Sequence, residues 1–260
     1  MSPIRESWSS SGRNLSSKSL RPRRVDSSHR NSCPTSKMKY RLAIFDFDGT
    51  LASSLEGISA CMKDALGVFG YRTPSLEEVK STVGLTLEDS IRILTKRQIS
   101  DAQLPEVVKL YRELHDAKAG ATVQLFDGVV PLLEELPSHG IKSVLVSNKG
   151  RTGLEQLLER LKIWPFFDLT LSAEDVEHNK PKPEVYSRHI APYFAKISSS
   201  ETLVIGDAEI DIRFAKAAGL ASCWARYGYG NAAACHALHP DYEIGHIREL
   251  RDILRGGGRG

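Results

Sequence analysis

The sequence predicts an α/β protein: a doubly wound parallel sheet covered by helices on both faces, interrupted early by an all-helical insert. Three observations predict it. Apolar runs of strand length at Tyr40–Phe45, Ile141–Val146 and Thr202–Ile205 each stop at polar or glycine-bearing residues. Stretches with helical spacing separate the later runs, which is the alternation of a parallel sheet. Between Ser54 and Phe126, by contrast, the periodicity is helical throughout.

The chain has 260 residues, 41% of them hydrophobic and 26% charged, enough for one sizeable domain or a domain with a smaller insert. Its net charge of +3 is unevenly placed. Residues 1–37 hold eight Lys/Arg and two acids, a balance of +6 that leaves −3 for the remainder. The body is thus mildly acidic, and without an aromatic platform or reading helix beside the basic tail no nucleic-acid partner is expected. No apolar run approaches the roughly 18 residues of a membrane span, so no membrane partner is expected either. Cys33, Cys61, Cys223 and Cys235 lack paired metal-ligand spacing and imply no disulfide framework, which favours a reducing compartment such as the cytoplasm. Cys61 and Cys223 lie in apolar surroundings and are expected to be buried, inert thiols.

Residues 1–37 lack the apolar content to offset ordering and are expected to be disordered. Three readings stay open for them: a disordered extension; a transit peptide, whose Ser- and Arg-rich composition they share and which would make the protein organellar; or untranslated sequence, with the start at Met38. The first strand, Tyr40–Phe45, runs into Asp46-Phe47-Asp48-Gly49-Thr50. Helical spacing of Leu55, Ile58, Met62, Ala65, Leu66 and Phe69 predicts a first helix stopped by Gly70. Ser75-Leu76-Glu77-Glu78 has capping-box form, Thr86-Leu87-Glu88-Asp89 opens a third helix, and Ser100 with Gln103 opens a fourth that runs to about Lys118. The alternation resumes with a helix over Val129–Leu136, the strand ending at Ser147-Asn148-Lys149, a helix through Leu154–Leu161 and a weaker strand near Asp168–Leu171. A Pro-flanked loop, Asn179–Pro183, precedes a helix through Tyr186 and Ile190. Strand Thr202–Ile205 ends at Gly206-Asp207, and helix Ile210–Ala218, strand Leu220–Ala225 and the weak pair Tyr242–Ile244 and Ile247–Leu254 close the chain. Residues 38–53 and 127–260 therefore form the expected α/β core, and residues 54–126 the helical insert.

Three strands end in polar groups: Asp46 and Asp48, Ser147 and Asn148, and Asp207 with Asp211 four residues on. In an open parallel sheet such ends converge on one crevice, where ligands bind. Asp46 and Asp48, two residues apart on an extended chain, share a side and repel unless a cation or a proton intervenes. A hard divalent metal such as Mg²⁺ prefers such carboxylate oxygens. Taken singly, each feature has an ordinary reading: an Asp-Gly turn after a strand, a Ser-Asn turn, a solvated loop lysine at Lys180, an early-helix acid at Asp211. Together they supply a nucleophile, metal ligands, donors for phosphate oxygens and a proton donor, which is what phosphoryl transfer needs. His178, His236, His239 and His246 show no ligand spacing and are expected at the surface.

These motifs, in this order, resemble the haloacid dehalogenase superfamily of hydrolases, and within it the phosphoglycolate phosphatase-like branch with a helical cap inserted after the first motif. The quoted residues are Asp46-Phe47-Asp48-Gly49-Thr50, Ser147-Asn148, Lys180 in a K-P-x-P frame, and Gly206-Asp207 followed by Asp211; the likeness covers roughly Met38–Leu254. The resemblance implies a Rossmann-like core and an Mg²⁺-dependent hydrolase of a small phosphorylated metabolite. It assigns Asp46 as the nucleophile that forms an aspartyl-phosphate and Asp48 as the general acid and then base. It gives Mg²⁺ to an Asp46 oxygen, the Asp48 backbone carbonyl, Asp207 and, directly or through water, Asp211. It gives the phosphate to Thr50, Ser147, Asn148 and Lys180. Ser53 and Ala208 depart from residues common at their positions, an acid and a hydroxyl, which bears on the substrate. Two rivals remain: a sugar phosphomutase of the same cap type, and a non-catalytic phosphoester-binding protein. Substrate selection is expected in the insert's connections, at Gly84 and Thr86, where glycine allows close backbone approach and a helix start can meet an anion; equally, Gly84 is a helix stop and Thr86 an N-cap. Which phosphoester is bound, and the oligomeric state, are not legible.

Overall fold

The structure, a computed structural model, describes residues 38–118 and 122–257. The expectations for residues 1–37 lie outside the described residues. Six parallel strands form the main sheet: β1 (Leu42–Phe45), β4 (Lys142–Val146), β5 (Leu169–Leu171), β6 (Thr202–Gly206), β7 (Ala221–Ala225) and β8 (Tyr242–Ile244). Their order is β5-β4-β1-β6-β7-β8. From β1 the chain winds outward to β4 and β5, then returns to β1's other side for β6, so the strand order reverses at β1. That reversal opens a crevice beyond the carboxyl ends of β1, β4 and β6.

Alternation along the strands divides the core into two layers. Ala43, Phe45, Leu145, Leu203, Ile205 and Cys223 face one side. They pack on α5 (Val129–Glu135), α6 (Arg151–Arg160) and α10 (Leu250–Leu254). Leu42, Ile44, Val144, Val146, Leu169 and Val204 face the other. There they meet Val185 of α7 (Glu184–His189) and Phe214 and Ala215 of α8 (Glu209–Ala217). Both faces are dry, which accounts for the continuous apolar runs of β1 and β6.

The insert has a core of its own. Ile58, Met62 and Leu66 of α1 (Leu55–Val68), Val79 of α2 (Leu76–Lys80), Ile91 and Leu94 of α3 (Leu87–Leu94), and Leu104, Val107 and Tyr111 of α4 (Leu104–Lys118) form one buried cluster. Ser75 caps α2 in a full capping box with Glu78, and the Thr86 hydroxyl accepts the Asp89 N–H at the start of α3. The insert leaves and rejoins the core through a two-stranded antiparallel ribbon, β2 (Ala52–Ser53) with β3 (Gln124–Leu125).

Three local features depart from the expectation. Ser100 opens the turn into α4 as expected, its hydroxyl accepting the Gln103 N–H at 3.2 Å, but regular helix begins at Leu104 and the box stays half-made, because the Gln103 side chain accepts from the Tyr71 hydroxyl at 2.6 Å. The ribbon was not foreseen, since two residues per strand carry no alternation signal. Helix α9 (Ala232–Ala237) was also missed, although Asn231 caps it through the Ala234 N–H and three alanines follow. Cys61 and Cys223 are buried as expected.

Because the insert's cluster is separate from the two sheet layers, Ile91→Ala is expected to cost about 2–5 kcal/mol in the insert first. Hydrogen exchange checks this: amides in 58–111 exchange faster while those of β1 and β6 keep their protection. Equal loosening of both regions would show that the insert does not unfold on its own.

Candidate active site

Asp46 follows β1 directly, and its N–H continues the ladder to the Ile205 carbonyl at 2.9 Å. Asp207 follows β6, and Asp211 lies in the first turn of α8. One oxygen from each of Asp46, Asp207 and Asp211 lies within 4.8 Å of the others, and all three residues are buried. Lys180, from the Asn179–Pro183 loop, donates from Nζ to Asp46 Oδ1 and Asp211 Oδ1, both at 2.6 Å. Two of the three buried carboxylates thus share one ammonium, and among the described residues Asp207 has none in contact. Burial raises the Asp46 pKa to about 7 even though Lys180 pulls it down. Asp207 is raised well above the usual carboxylate range, by burial first and then by the charges of Asp46 and Asp211. Burial acts against the Lys180 charge, but Asp211 and Asp46 together outweigh it and hold the amine protonated.

A tight wrap of donors and glycines surrounds Asp207. Oδ1 accepts from the Thr50 hydroxyl at 3.0 Å, Oδ2 from the Tyr229 N–H at 2.6 Å, and the backbone carbonyl from Trp224 Nε1 at 2.9 Å. A methyl on Gly49 would lie 2.3 Å from Asp207 Oδ2, and Gly49 has φ +87°. A methyl on Gly228 would lie 2.2 Å from Asp207 Cβ. Only glycine fits at either position. Tyr227 and Tyr229 complete the wrap. The Tyr227 hydroxyl donates to the Thr50 carbonyl at 2.8 Å, and the Tyr229 hydroxyl accepts from the N–H of Ser54 at 2.7 Å. The sequence reading missed this loop; the signal was Tyr227-Gly228-Tyr229-Gly230 directly after a strand.

Asp48 sits apart from the three-acid cluster. Its Oδ2 pairs with Lys149 Nζ at 3.2 Å, while Oδ1 is buried with no hydrogen-bond partner. Such an orphaned oxygen is costly and calls for a ligand or a proton. Asp46, Asp48, Ser147, Asn148 and Lys149 line a cavity of about 70 Å³ that the insert closes from above with Val83, Gly84, Leu85 and Tyr111. The structure therefore brings Asp46, Asp48, Ser147, Asn148 and Gly84 around one space, with Lys180, Asp207 and Asp211 behind Asp46. Two expected residues are used otherwise. The Thr50 hydroxyl is fully buried and spent on Asp207. Thr86 is not among the residues lining the cavity, because its hydroxyl caps α3. Both amide protons of Asn148 are also spent on protein carbonyls, those of Gly84 at 2.9 Å and Lys180 at 3.1 Å.

Residues 43–225 match the family model described as haloacid dehalogenase-like hydrolase. The chain belongs to this family. A relative named pyrophosphatase PpaX, from Bacillus mycoides (strain KBAB4), is 29% identical over 84% of this chain and 98% of its own length. Among solved structures, a protein from Bacteroides fragilis described as a haloacid dehalogenase-like hydrolase is 34% identical with a TM-score of 0.74, covering 82% of this chain and all of the other. A predicted phosphoglycolate phosphatase from Haemophilus somnus 129pt is 21% identical with a TM-score of 0.76 over 83% of this chain and 98% of its own, a likeness of fold. Among the described residues no helix is long and apolar enough to cross a membrane.

His115, on the last turn of α4, was also missed. It is buried, its Nε2 has no partner, and burial followed by the Lys149 charge pushes its pKa down to about 4. An unfolded chain takes up this proton near pH ~6.5, whereas the folded chain resists it until about pH 4. The unfolded state therefore binds more protons in that window, and stability falls as pH drops through it. Thermal melts of His115→Phe are expected to lose less Tm than the wild type between about pH 7 and about pH 4.5. Equal losses would mean that His115 is not held neutral.

Proposed function

We propose that the protein is an Mg²⁺-dependent phosphatase that hydrolyses a small phosphomonoester through an aspartyl-phosphate, with residues 54–126 as its cap. The observation that carries this reading is the meeting of Asp46, Asp207, Asp211 and Lys180 beside a phosphate-sized cavity. The donor set fits Mg²⁺: it is all hard oxygen, it holds more negative charge than Lys180 balances, and Asp48 leaves a buried oxygen unpartnered. Asp46, Asp207, Asp211 and the Asp48 backbone carbonyl would hold the ion. When bound, it supplies positive charge against the phosphate oxygens and the acids.

In this reading Asp46 attacks phosphorus, and the bond to the ester oxygen breaks. Asp48 gives that oxygen its proton and afterwards takes one from the water that cleaves the acyl phosphate. Lys149 holds the Asp48 side chain over the cavity, the Ser147 side chain lines it for the phosphate oxygens, and Lys180, behind Asp46, offsets the charge of the acids. Lys180 pulls the Asp46 carboxyl toward its ionised, nucleophilic form, in opposition to burial. Enclosure by Val83, Gly84 and Leu85 keeps bulk water from the acyl phosphate and leaves this stretch to read the rest of the substrate. Among the described residues, Cys223 and Cys235 are buried free thiols, which suits a reducing setting such as the cytoplasm.

Phosphate release from glycolate phosphate, a sugar phosphate, a nucleotide and pyrophosphate, each with Mg²⁺, tests the reading; pyrophosphate enters through the name of the Bacillus relative. Hydrolysis of at least one is expected, and none on folded, metal-loaded protein would sink the proposal. Asp46→Asn is expected to lower release by about a thousandfold or more while the fold persists. Gly228→Ala would push its methyl onto Asp207 and the Gly49 carbonyl, 2.5 Å away. Calorimetric titration is expected to show Mg²⁺ binding weakened by about tenfold or more, and unchanged binding would remove Asp207 from the metal site.

A further inference from the structure

Asn148 touches neither acid, yet it is 95% buried and stands where three segments of the chain meet. Its carboxamide Nδ2 donates to the Gly84 carbonyl of the insert at 2.9 Å and to the Lys180 carbonyl at 3.1 Å, and its Oδ1 accepts the Lys180 N–H at 3.1 Å. The orientation of the amide is fixed, because two carbonyls can only accept and an N–H can only donate. No side-chain donor is left for a phosphate oxygen. What the amide does instead is tie the insert's loop to the backbone of the residue whose ammonium neutralises Asp46 and Asp211.

We propose that Asn148 is a positioning residue that couples closure of the insert to placement of Lys180: the Gly84 carbonyl docks on the Asn148 amide, and the docked amide fixes the Lys180 backbone. Closure is thereby linked to where the Lys180 ammonium sits beside Asp46 rather than to enclosure alone. Three features support the coupling. Gly84 has φ +94°, a conformation that aims its carbonyl inward at a position where other residues are strained. The backbone of Gly84 also rests against α8, since a methyl built on it would lie 3.3 Å from Ile210 Cγ2, one residue from Asp211. The amide offers no second arrangement that satisfies both carbonyls. When the insert lifts, one amide proton loses its partner and the restraint on Lys180 loosens with it.

The inference rests on the phosphatase reading for its kinetic test and is independent of it for the structural one. Hydrogen exchange on the full chain with Mg²⁺ and without substrate reports residues 82–86 and 179–182 separately. Asn148→Ala is expected to speed exchange about tenfold or more at both stretches. Gly84→Pro, which cannot adopt the positive φ, is expected to do the same at 179–182 although it lies in the insert. Unchanged exchange at 179–182 in Gly84→Pro would overturn the coupling. Asn148→Asp keeps the acceptor for the Lys180 N–H but faces two carbonyls with a carboxylate, and it serves if the alanine variant fails to fold. On the best ester, each single change is expected to lower kcat/KM about tenfold or more, and the double variant to fall within about threefold of the worse single. Losses that multiply would show two independent effects and overturn the proposal. If the wild type releases no phosphate, the phosphatase reading fails, and exchange alone decides the latch.

Discussion

Lys180 lies between Asp46 and Asp211 with 2.6 Å to each, in a pocket that also buries Asp207. Burying these charges costs several kcal/mol per ion, and one ammonium cannot offset three carboxylates. The surrounding structure supplies the remainder in hydrogen bonds: Thr50 and Tyr229 on Asp207, the Ala208 N–H on Asp211, and the Asn148 amide behind Lys180. Glycine at 49 and 228 is the steric counterpart, since any side chain there would occupy the space of Asp207. The acids are thus held close together at a cost that a divalent cation would relieve.

The same charge balance separates the surroundings of the two carboxylates that follow β1. Asp46 sits in the acid cluster and is raised by burial, with Lys180 opposing. Asp48, two residues on, faces the cavity and Lys149 instead, outside the cluster. Two acids of identical chemistry are thereby given different surroundings by a single turn of backbone, as the proposed division between nucleophile and proton carrier requires.

Much of this was legible in the sequence because it lies on strand ends. Buried parallel strands write themselves as apolar runs, and the residues immediately after them must sit at the crevice; Asp46, Ser147 and Asp207 needed no more than that. The insert's helices were legible from spacing, and two of their starts from the Ser75 and Thr86 caps. What escaped depends on contacts across long stretches of chain. Nothing local to Tyr229 says that its hydroxyl meets the backbone of Ser54, and nothing local to Gln103 says that Tyr71 will claim its side chain. The resemblance assigned Asn148 and Thr50 to the phosphate, yet both side chains are committed to protein partners. Lys149 was visible only as the end of a strand, and its pairing with Asp48 depends on the register of β1 with β4.

The ribbon of Ala52–Ser53 with Gln124–Leu125 brings the departure and return of the insert side by side, with the Phe126 N–H bonded to the Leu51 carbonyl at 3.0 Å. Everything between is attached to the core like a module on a two-pin socket. Beyond the ribbon the insert meets the site chiefly through the loop at Gly84, so the length and helix count of the rest are free to vary without disturbing the strand order. A lineage can therefore rewrite much of this module while the strand ends that carry Asp46, Ser147 and Asp207 stay in place.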